Sequence, residues 1–474
     1  MNATELSGSG GSTSVSRRRV ALGTLVGTTF EWYDFFIYAQ SAALVFVPLF
    51  FKPAGSEIGL MISFASVGIS FVFRPLGAVL AGYFGDKIGR RAMLVATLSL
   101  MGIATVAMGL LPTYEAIGIA APILLVLLRV LQGISAGGEW GGAALMAVEH
   151  APLKRRGLFG SFPQLGVPLE MLLATGVMAL MTSVVSPGAA FLEWGWRIPF
   201  LTSFILILVG YLIRRGIAES PIFAEIAKTK EQVSAPLSTL FKKHWKLVLV
   251  AALLMAGMNA AGYVATGGFL TSYASNPEGA APIDRTQVLL AVTIACVPYF
   301  LSTLFAGILS DWIGRKRTYI IGYVSLAFMA FPLFWAADSG NIVWLTIMLC
   351  LFTVGLGFAY GAMPAWFAEL FPVNVRFSGV SIAFALGSIL GGAFAPMIAQ
   401  ALLNATGSSG AVSSYLLFMC LISLGAVLIL RDRSKIPLGI DHLSTQETGS
   451  FSLAVKPPIW TSKDPVETTS HGQH

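Results

Sequence analysis

Six ionisable side chains, Glu31, Asp34, Arg74, Arg129, Glu139 and Glu170, fall inside stretches of sequence that are otherwise apolar. On insertion scales a charge at the centre of a bilayer costs about 2.5–3.5 kcal/mol, so each of the six requires a partner or a function. A carboxylate balanced between desolvation and a nearby guanidinium can load and release a proton near neutral pH. Asp34 leads the candidates for that chemistry, with Glu31, Glu139 and Glu170 beside it. Arg129 and Arg74 suit bidentate binding of a substrate carboxylate; Arg74, next to Pro75, serves equally as a gate-stabilising group. The alternative for all these charges is structural, with ion pairs fixing the first, second and fourth apolar segments to one another. Gln132 lies one turn beyond Arg129 in RVLQGISAGGEWGG, whose glycines form a face that admits a close neighbour. Tyr33, Tyr263 and Tyr360 are further candidates to line a substrate cavity, since each joins an apolar body to a polar tip. Asn259, Tyr273 and Trp366 are weaker ones.

The elements that position these groups follow from composition. Of 474 residues, 55% are hydrophobic and 11% charged, against roughly 25% charged in soluble domains. Twelve apolar runs, near 20–46, 57–84, 92–112, 118–147, 159–184, 197–214, 247–274, 286–309, 318–337, 342–368, 377–402 and 412–430, have the length of about 20 residues that a helix needs to span a membrane. Unbroken apolar runs lack the alternation of a transmembrane barrel, so the expected fold is an all-α membrane protein. From a rise of 1.5 Å per residue, Glu31 comes roughly 17 Å and Asp34 roughly 21 Å from the cytoplasmic start of the first run, Arg74 roughly 17 Å from the cytoplasmic end of the second, Arg129 about 17 Å from the outer end of the fourth, and Glu139 and Glu170 about 14–17 Å from the cytoplasmic face. These depths converge near the midplane.

A ten-residue loop occurs twice, as GYFGDKIGRR (82–91) and GILSDWIGRK (307–316). A second pair follows in the same order, Glu149, Pro152, Arg156 and Gly157 against Glu369, Pro372, Arg376 and Gly379. Two matches at nearly half the chain length indicate two parallel six-helix halves, the arrangement in which secondary transporters place a site at the repeat interface. The gating set is therefore Gly82, Asp86, Arg90, Arg91, Gly307, Asp311, Gly314, Arg315, Glu149, Arg156, Glu369 and Arg376, with each loop Asp able to accept from the free N–H groups of a neighbouring helix. The expected division is an N-terminal tail 1–16 without fixed structure, a half 17–214, a cytoplasmic linker 215–246, a half 247–435, and a C-terminal tail 436–474 like the first.

With both termini inside, all but five of the 30 Lys and Arg residues fall in cytoplasmic segments; Lys52, Arg197 and Arg285 lie outside, and Arg74 and Arg129 lie in spans. This bias fixes the topology and accounts for the net charge of +7 without nucleic acid. Arg17, Arg18 and Arg19 precede an apolar run too long for a signal peptide, so the first helix is expected to stay uncleaved. Cys296, Cys350 and Cys420 give no metal or disulfide spacing, and no enzyme chemistry, metal or cofactor is expected.

Taken together the segments resemble the major facilitator superfamily and, within it, the metabolite:proton symporter family, over about residues 18–435. The resemblance rests on FEWYDFFIY (30–38), FRPLGA (73–78), GDKIGRR (85–91), RVLQGISAGGEWGG (129–142), WGWRIPF (194–200), ESPIF (219–223), SDWIGRKR (310–317) and ELFPVNVRFSG (369–379). It implies twelve transmembrane helices in two pseudo-repeats, alternating access, and symport of a small polar metabolite with protons. It also implies that Asp86 and Asp311 belong to a conformational latch and that Arg129, Gln132 and Gly133 belong to a motif linked to proton transfer. Glu170 replaces an expected Gly and adds a buried acid. The resulting expectation is proton-coupled uptake of a small organic acid anion, such as shikimate or a di- or tricarboxylate, by a monomer in a bacterial plasma membrane. A zwitterionic osmolyte such as proline or betaine is the alternative substrate, and efflux by antiport the alternative direction.

Overall fold

The computed structural model describes residues 10–88, 90–215, 236–277, 279, 281–447 and 449–451; at some helical positions, among them Glu31, Gly82, Asp86, Arg90 and Arg91, only the backbone is described. Twelve long helices carry the fold: α1 Gly10–Ser41, α2 Ser56–Ile88, α3 Arg90–Leu110, α4 Ala120–Glu149, α5 Arg156–Leu180, α6 Arg197–Arg215, α7 Trp245–Thr266, α8 Arg285–Ile313, α9 Arg315–Asp338, α10 Ile342–Leu370, α11 Arg376–Ser388 and α12 Ser409–Ile429. Beyond α11 a π turn, Ile389–Ala393, and a second helical piece, Ala395–Thr406, complete the same crossing. Among the described residues, ten helical stretches are long and apolar enough to cross a membrane. The other two expected spans are helices as well. The apolar part of α3, Val95–Leu110, is shorter, and α1 carries Arg17, Arg18, Arg19, Glu31 and Asp34.

Small residues set the spacing of the helices. At Gly133 and Gly137 an added Cβ would strike the backbone carbonyls of Ser70 and Arg74, so α4 lies directly on α2. Without a hydrophobic force between helices in lipid, this close backbone approach supplies the packing energy. The first six helices meet the last six along α5, which packs on α8 and α10, and along α2 and α4, which pack on α11. Trp140 of α4 stacks on Phe384 of α11 at 3.9 Å between ring centres.

The ends of the chain are more structured than the sequence suggests. Residues 10–16, inside the expected N-terminal tail, continue α1. Residues 431–451, mostly inside the expected C-terminal tail, fold back over the ends of α9, α10 and α11. There Arg433 donates to the carbonyls of Thr445 and Gln446 at 2.8 Å, and the Gln446 Oε1 accepts from the Val373 amide at 2.9 Å. Polar side chains hold this segment together with a few apolar ones, Leu438 in the core and Phe451 against it, so its composition reads as a tail. Of the expected linker, residues 216–235 lie outside the described residues and Pro236–Lys243 is a short helix.

Gly137→Val is expected to destabilise the α2–α4 contact by about 1–3 kcal/mol or more. Folded yield after detergent extraction, read by size-exclusion chromatography, should fall, while Gly176→Ala, where an added Cβ meets nothing within 4 Å, should match wild type.

Candidate functional site

Two buried charges of the first six helices, Arg129 and Asp34, are joined by a hydrogen-bonded chain. Arg129, fully buried, donates through Nη1 to the Gln132 Oε1 at 2.7 Å, and the Gln132 Nε2 donates to the Thr105 hydroxyl at 2.6 Å. Thr105 donates to the Asp34 Oδ2 at 2.8 Å, and Ser203 donates to the Asp34 Oδ1 at 2.5 Å. One carboxylate of α1 is thus held by hydroxyls of α3 and α6 and tied to a guanidinium of α4. Asp34 and Arg129, expected in one cluster near the midplane, are joined through Gln132 and Thr105.

The rest of Arg129 is spent on α2, where it donates to the carbonyls of Ser66 and Val67 and to the Ser70 hydroxyl at 3.0–3.4 Å. Its guanidinium also lies 3.9 Å from the Tyr38 ring centre. Because Gly133 brings α2 so close, two of these acceptors are backbone carbonyls. Glu139 is buried within electrostatic reach of Asp34. Tyr33 turns to α6, bonding the Thr202 hydroxyl at 2.9 Å and the Pro199 carbonyl.

A second cluster joins the two six-helix sets. The Arg74 guanidinium lies 4.3 Å from the Phe71 ring centre, 5.1 Å from Trp32 and 5.3 Å from Phe35. Tyr263 of α7 packs edge-on against Phe71 and Phe35. Tyr360 of α10 donates to the Asn259 Oδ1 at 2.8 Å and meets Tyr299 of α8 edge-on. Glu170 of α5 is buried within electrostatic reach of Tyr263, Tyr299 and Tyr360. A cation and an acid from one set therefore face three tyrosines and an amide from the other.

At the end where α5 begins and α8 stops, a charge network crosses between the sets. The Asp311 carboxylate accepts from the amides of Gly157 and Leu158, the first turn of α5, at 2.8 and 3.0 Å. A carboxylate at a helix N-terminus is stabilised by the unpaired N–H groups and the helix dipole. Arg315 pairs with Asp311 at 2.8 Å and bidentately with Glu369 at 3.0–3.1 Å. The repeated Glu and Arg residues pair crosswise, Arg156 with Glu369 at 3.8 Å and Arg376 with Glu149 at 3.7 Å. Each pair takes its acid from one repeat and its base from the other. An added Cβ at Gly307 would strike Ser161, so α8 and α5 touch backbone to backbone here, and Gly314, at φ 95°, makes the turn into α9. The returning C-terminal segment joins in, since Arg156 donates to the Ile436 carbonyl at 2.7 Å and Arg376 to the Leu438 carbonyl at 3.0 Å.

Glu31 and the first-loop set Gly82, Asp86, Arg90 and Arg91 lie outside the described side chains. Tyr273 bonds Asp338 and Trp366 donates to the Arg431 carbonyl, so both lie away from the central cluster. Thr105, Ser203 and Tyr299 belong to the site and were missed, because single hydroxyls in apolar helices carry no spacing signal. Among the described residues no group of three His, Cys, Asp or Glu side chains is placed to hold a metal ion.

The Major Facilitator Superfamily profile matches residues 24–396 and 279–461. The chain is 40% identical to the inner membrane metabolite transport protein YhjE of Escherichia coli, over 88% of this chain and 94% of that protein. It is 36% identical to the shikimate transporter of the same organism, over 90% and 97%, and 31% identical to the glycine betaine/proline/ectoine/pipecolic acid transporter OusA of Dickeya dadantii, over 89% and 84%. A solved structure of the proton:xylose symporter XylE superposes with a TM-score of 0.71 at 18% identity, covering 88% of this chain and 95% of that one. That last likeness concerns the fold alone.

Asp311→Asn removes a charge-assisted pair of bonds and is expected to shift the closed end toward opening by about tenfold. N-ethylmaleimide labelling of Ser161→Cys, in a chain otherwise free of cysteine, should speed up accordingly; an unchanged rate would show that the contact does not hold this end shut. Ending the chain after Lys435 should act in the same direction and more weakly.

Proposed function

The chain belongs to the Major Facilitator Superfamily as a multi-pass membrane transporter, and from that premise we propose proton-coupled uptake of a small organic acid anion, such as shikimate or a di- or tricarboxylate, by alternating access. The observation that carries this reading is Asp34, a buried carboxylate held only by hydroxyls. Ionised, it accepts from Thr105 and Ser203. Protonated, its own O–H needs an acceptor, and Thr105 can supply one by turning its proton to the Met101 carbonyl, 3.0 Å away. Gln132 holds the other side of Thr105 and Arg129 holds Gln132, so a proton at Asp34 is felt at the α2–α4 contact. The site accommodates both protonation states without moving a helix.

Arg74, on α2, is the cation we assign to the substrate carboxylate, with Tyr263, Tyr360 and Asn259 opposite as hydrogen-bonding groups. Glu170 beside them is a second candidate proton carrier. Asp311, Arg315, Glu369 and Arg156 form the gate, which the positive-inside pattern places at the cytoplasmic face together with both termini. A monomer contains every group this scheme uses.

The relative that carries glycine betaine and proline favours a second reading, a zwitterionic osmolyte. Quaternary ammonium groups bind to open aromatic faces. Here Trp32, Phe35 and Phe71 already face the protein's own Arg74, which supports an anion instead.

Uptake into proteoliposomes, with labelled shikimate, 2-oxoglutarate, citrate, benzoate, proline and betaine offered separately under an inward proton gradient, tests the proposal. An inward gradient of about one pH unit should drive about tenfold accumulation of one acid per proton coupled. Asp34→Asn should abolish that accumulation and leave counterflow exchange of the labelled acid in place. Thr105→Ala should weaken coupling while Thr105→Ser preserves it. Accumulation that survives Asp34→Asn would remove Asp34 from the coupling mechanism.

A further inference from the structure

We infer that a cleft at the end of the molecule remote from the Asp311 network is a first docking subsite for the carboxylate of an organic anion, with Arg285 as its charged centre. The inference rests on the organic-anion reading above and adds a second site to it. Arg285 opens α8 and Asp311 lies near its other end, about 39 Å along the helix at 1.5 Å per residue. Both six-helix sets line the cleft, through Gln40 of α1 and Thr175 of α5 on one side, and Thr271, Ser272 and Arg285 on the other. It lies at the mouth of any pathway between them.

The chemistry of the lining is one-sided. Thr175 accepts from the Gln40 Nε2 at 2.9 Å, which leaves its own hydroxyl proton for an acceptor. The hydroxyls of Thr271 and Ser272 have no hydrogen-bond partner among the described residues, although Thr271 is buried. The Arg285 Nε is buried and also without a partner there, and among the described residues the guanidinium makes no ion pair. Asp284, next in sequence, instead accepts from the Gln287 amide at 3.2 Å. A buried donor left unmatched costs the full desolvation penalty of the group. Three hydroxyls able to donate and a cation converge on one space, and among the described residues no carboxylate side chain lines it.

The cleft offers about 40 Å³ for water-sized occupants, and one water needs about 10–15 Å³ on that measure. The room matches the three heavy atoms of a carboxylate, and the open side of the cleft leaves the rest of the molecule outside. The cleft therefore catches the charged end of the anion while the remainder waits outside, and the central cluster of Arg74 and the tyrosines receives the whole molecule later. A cation in a narrow low-dielectric mouth raises the local concentration of anions and lowers that of cations.

Local potential and transport each test the subsite. In a full-length chain freed of Cys296, Cys350 and Cys420, Leu289→Cys places a thiol in the cleft one turn from Arg285. Its reaction rates with an anionic sulfonatoethyl and a cationic trimethylammonioethyl methanethiosulfonate are compared with and without Arg285→Gln. The ratio cancels any effect of Arg285 on the thiol itself. The preference for the anionic reagent should fall by about tenfold in Arg285→Gln, largely persist in Arg285→Lys, and shrink at about 0.5 M salt, where screening is strong.

In the otherwise native chain, Arg285→Gln should raise the KM for labelled shikimate several-fold with the maximal rate nearly unchanged. An unaltered reagent ratio, or an unaltered KM for an acid that the wild type transports, would overturn the subsite and leave the proposed function intact. Uptake of betaine and of no acid would overturn the proposed function, and the reagent ratio would then decide the subsite alone.

Discussion

A guanidinium buried between helices must find acceptors that lipid cannot provide, and the way Arg129 finds them organises the first half of this protein. Its bonds to the Ser66 and Val67 carbonyls require α2 within reach, and α2 comes within reach because Gly133 and Gly137 have no side chains to hold it off. Another of its donors fixes the Gln132 amide, which fixes Thr105, which reaches Asp34. A single cation thereby sets the packing of two helices and the surroundings of a titratable acid on a third. Partly satisfied, such a network would be worse than an apolar core; here each link is matched in polarity, donor to acceptor, from Arg129 through to Asp34.

The crossed pairs at the other level of the molecule follow from duplication. Glu149 and Arg156 recur as Glu369 and Arg376, and a pseudo-twofold relation between the halves brings each acid to the base of the opposite repeat. Such an arrangement is strong only while the halves are together at that end. The charge-assisted bonds from Asp311 to the first turn of α5 share this property, whereas the tighter pairs of Arg315 with Asp311 and Glu369 lie within the second half and hold the Asp311 carboxylate in place. The C-terminal segment, bonded to Arg156 of one half and Arg376 of the other, adds to the same closed arrangement.

Much of this was legible in the sequence. Apolar run length fixed the helices, because a membrane leaves the backbone no other choice, and the second copy of the doubled loop carries Asp311 and Arg315 of the crossing network. The partners were less legible. Asp34 and Arg129 stand at similar depth, and Gln132 and Thr105 lie between them; depth is readable from residue number, azimuth is not. Thr105, Ser203 and Tyr299 sit in apolar helices with no periodic mark. Tyr33 and Tyr273 looked like cavity residues and are instead bonded to α6 and to Asp338. The C-terminal residues 436–451 read as a tail because their packing depends on Arg433 and Gln446, polar residues whose usefulness emerges only in three dimensions.

The central claim is that an organic anion and a proton move together. Its most direct test follows the proton itself, with a pH-sensitive dye trapped inside proteoliposomes that carry no imposed gradient. Adding the transported acid outside should acidify the lumen at a rate proportional to labelled uptake, and protein-free vesicles should show no such change. Entry of the labelled acid with the luminal pH unmoved would contradict the account.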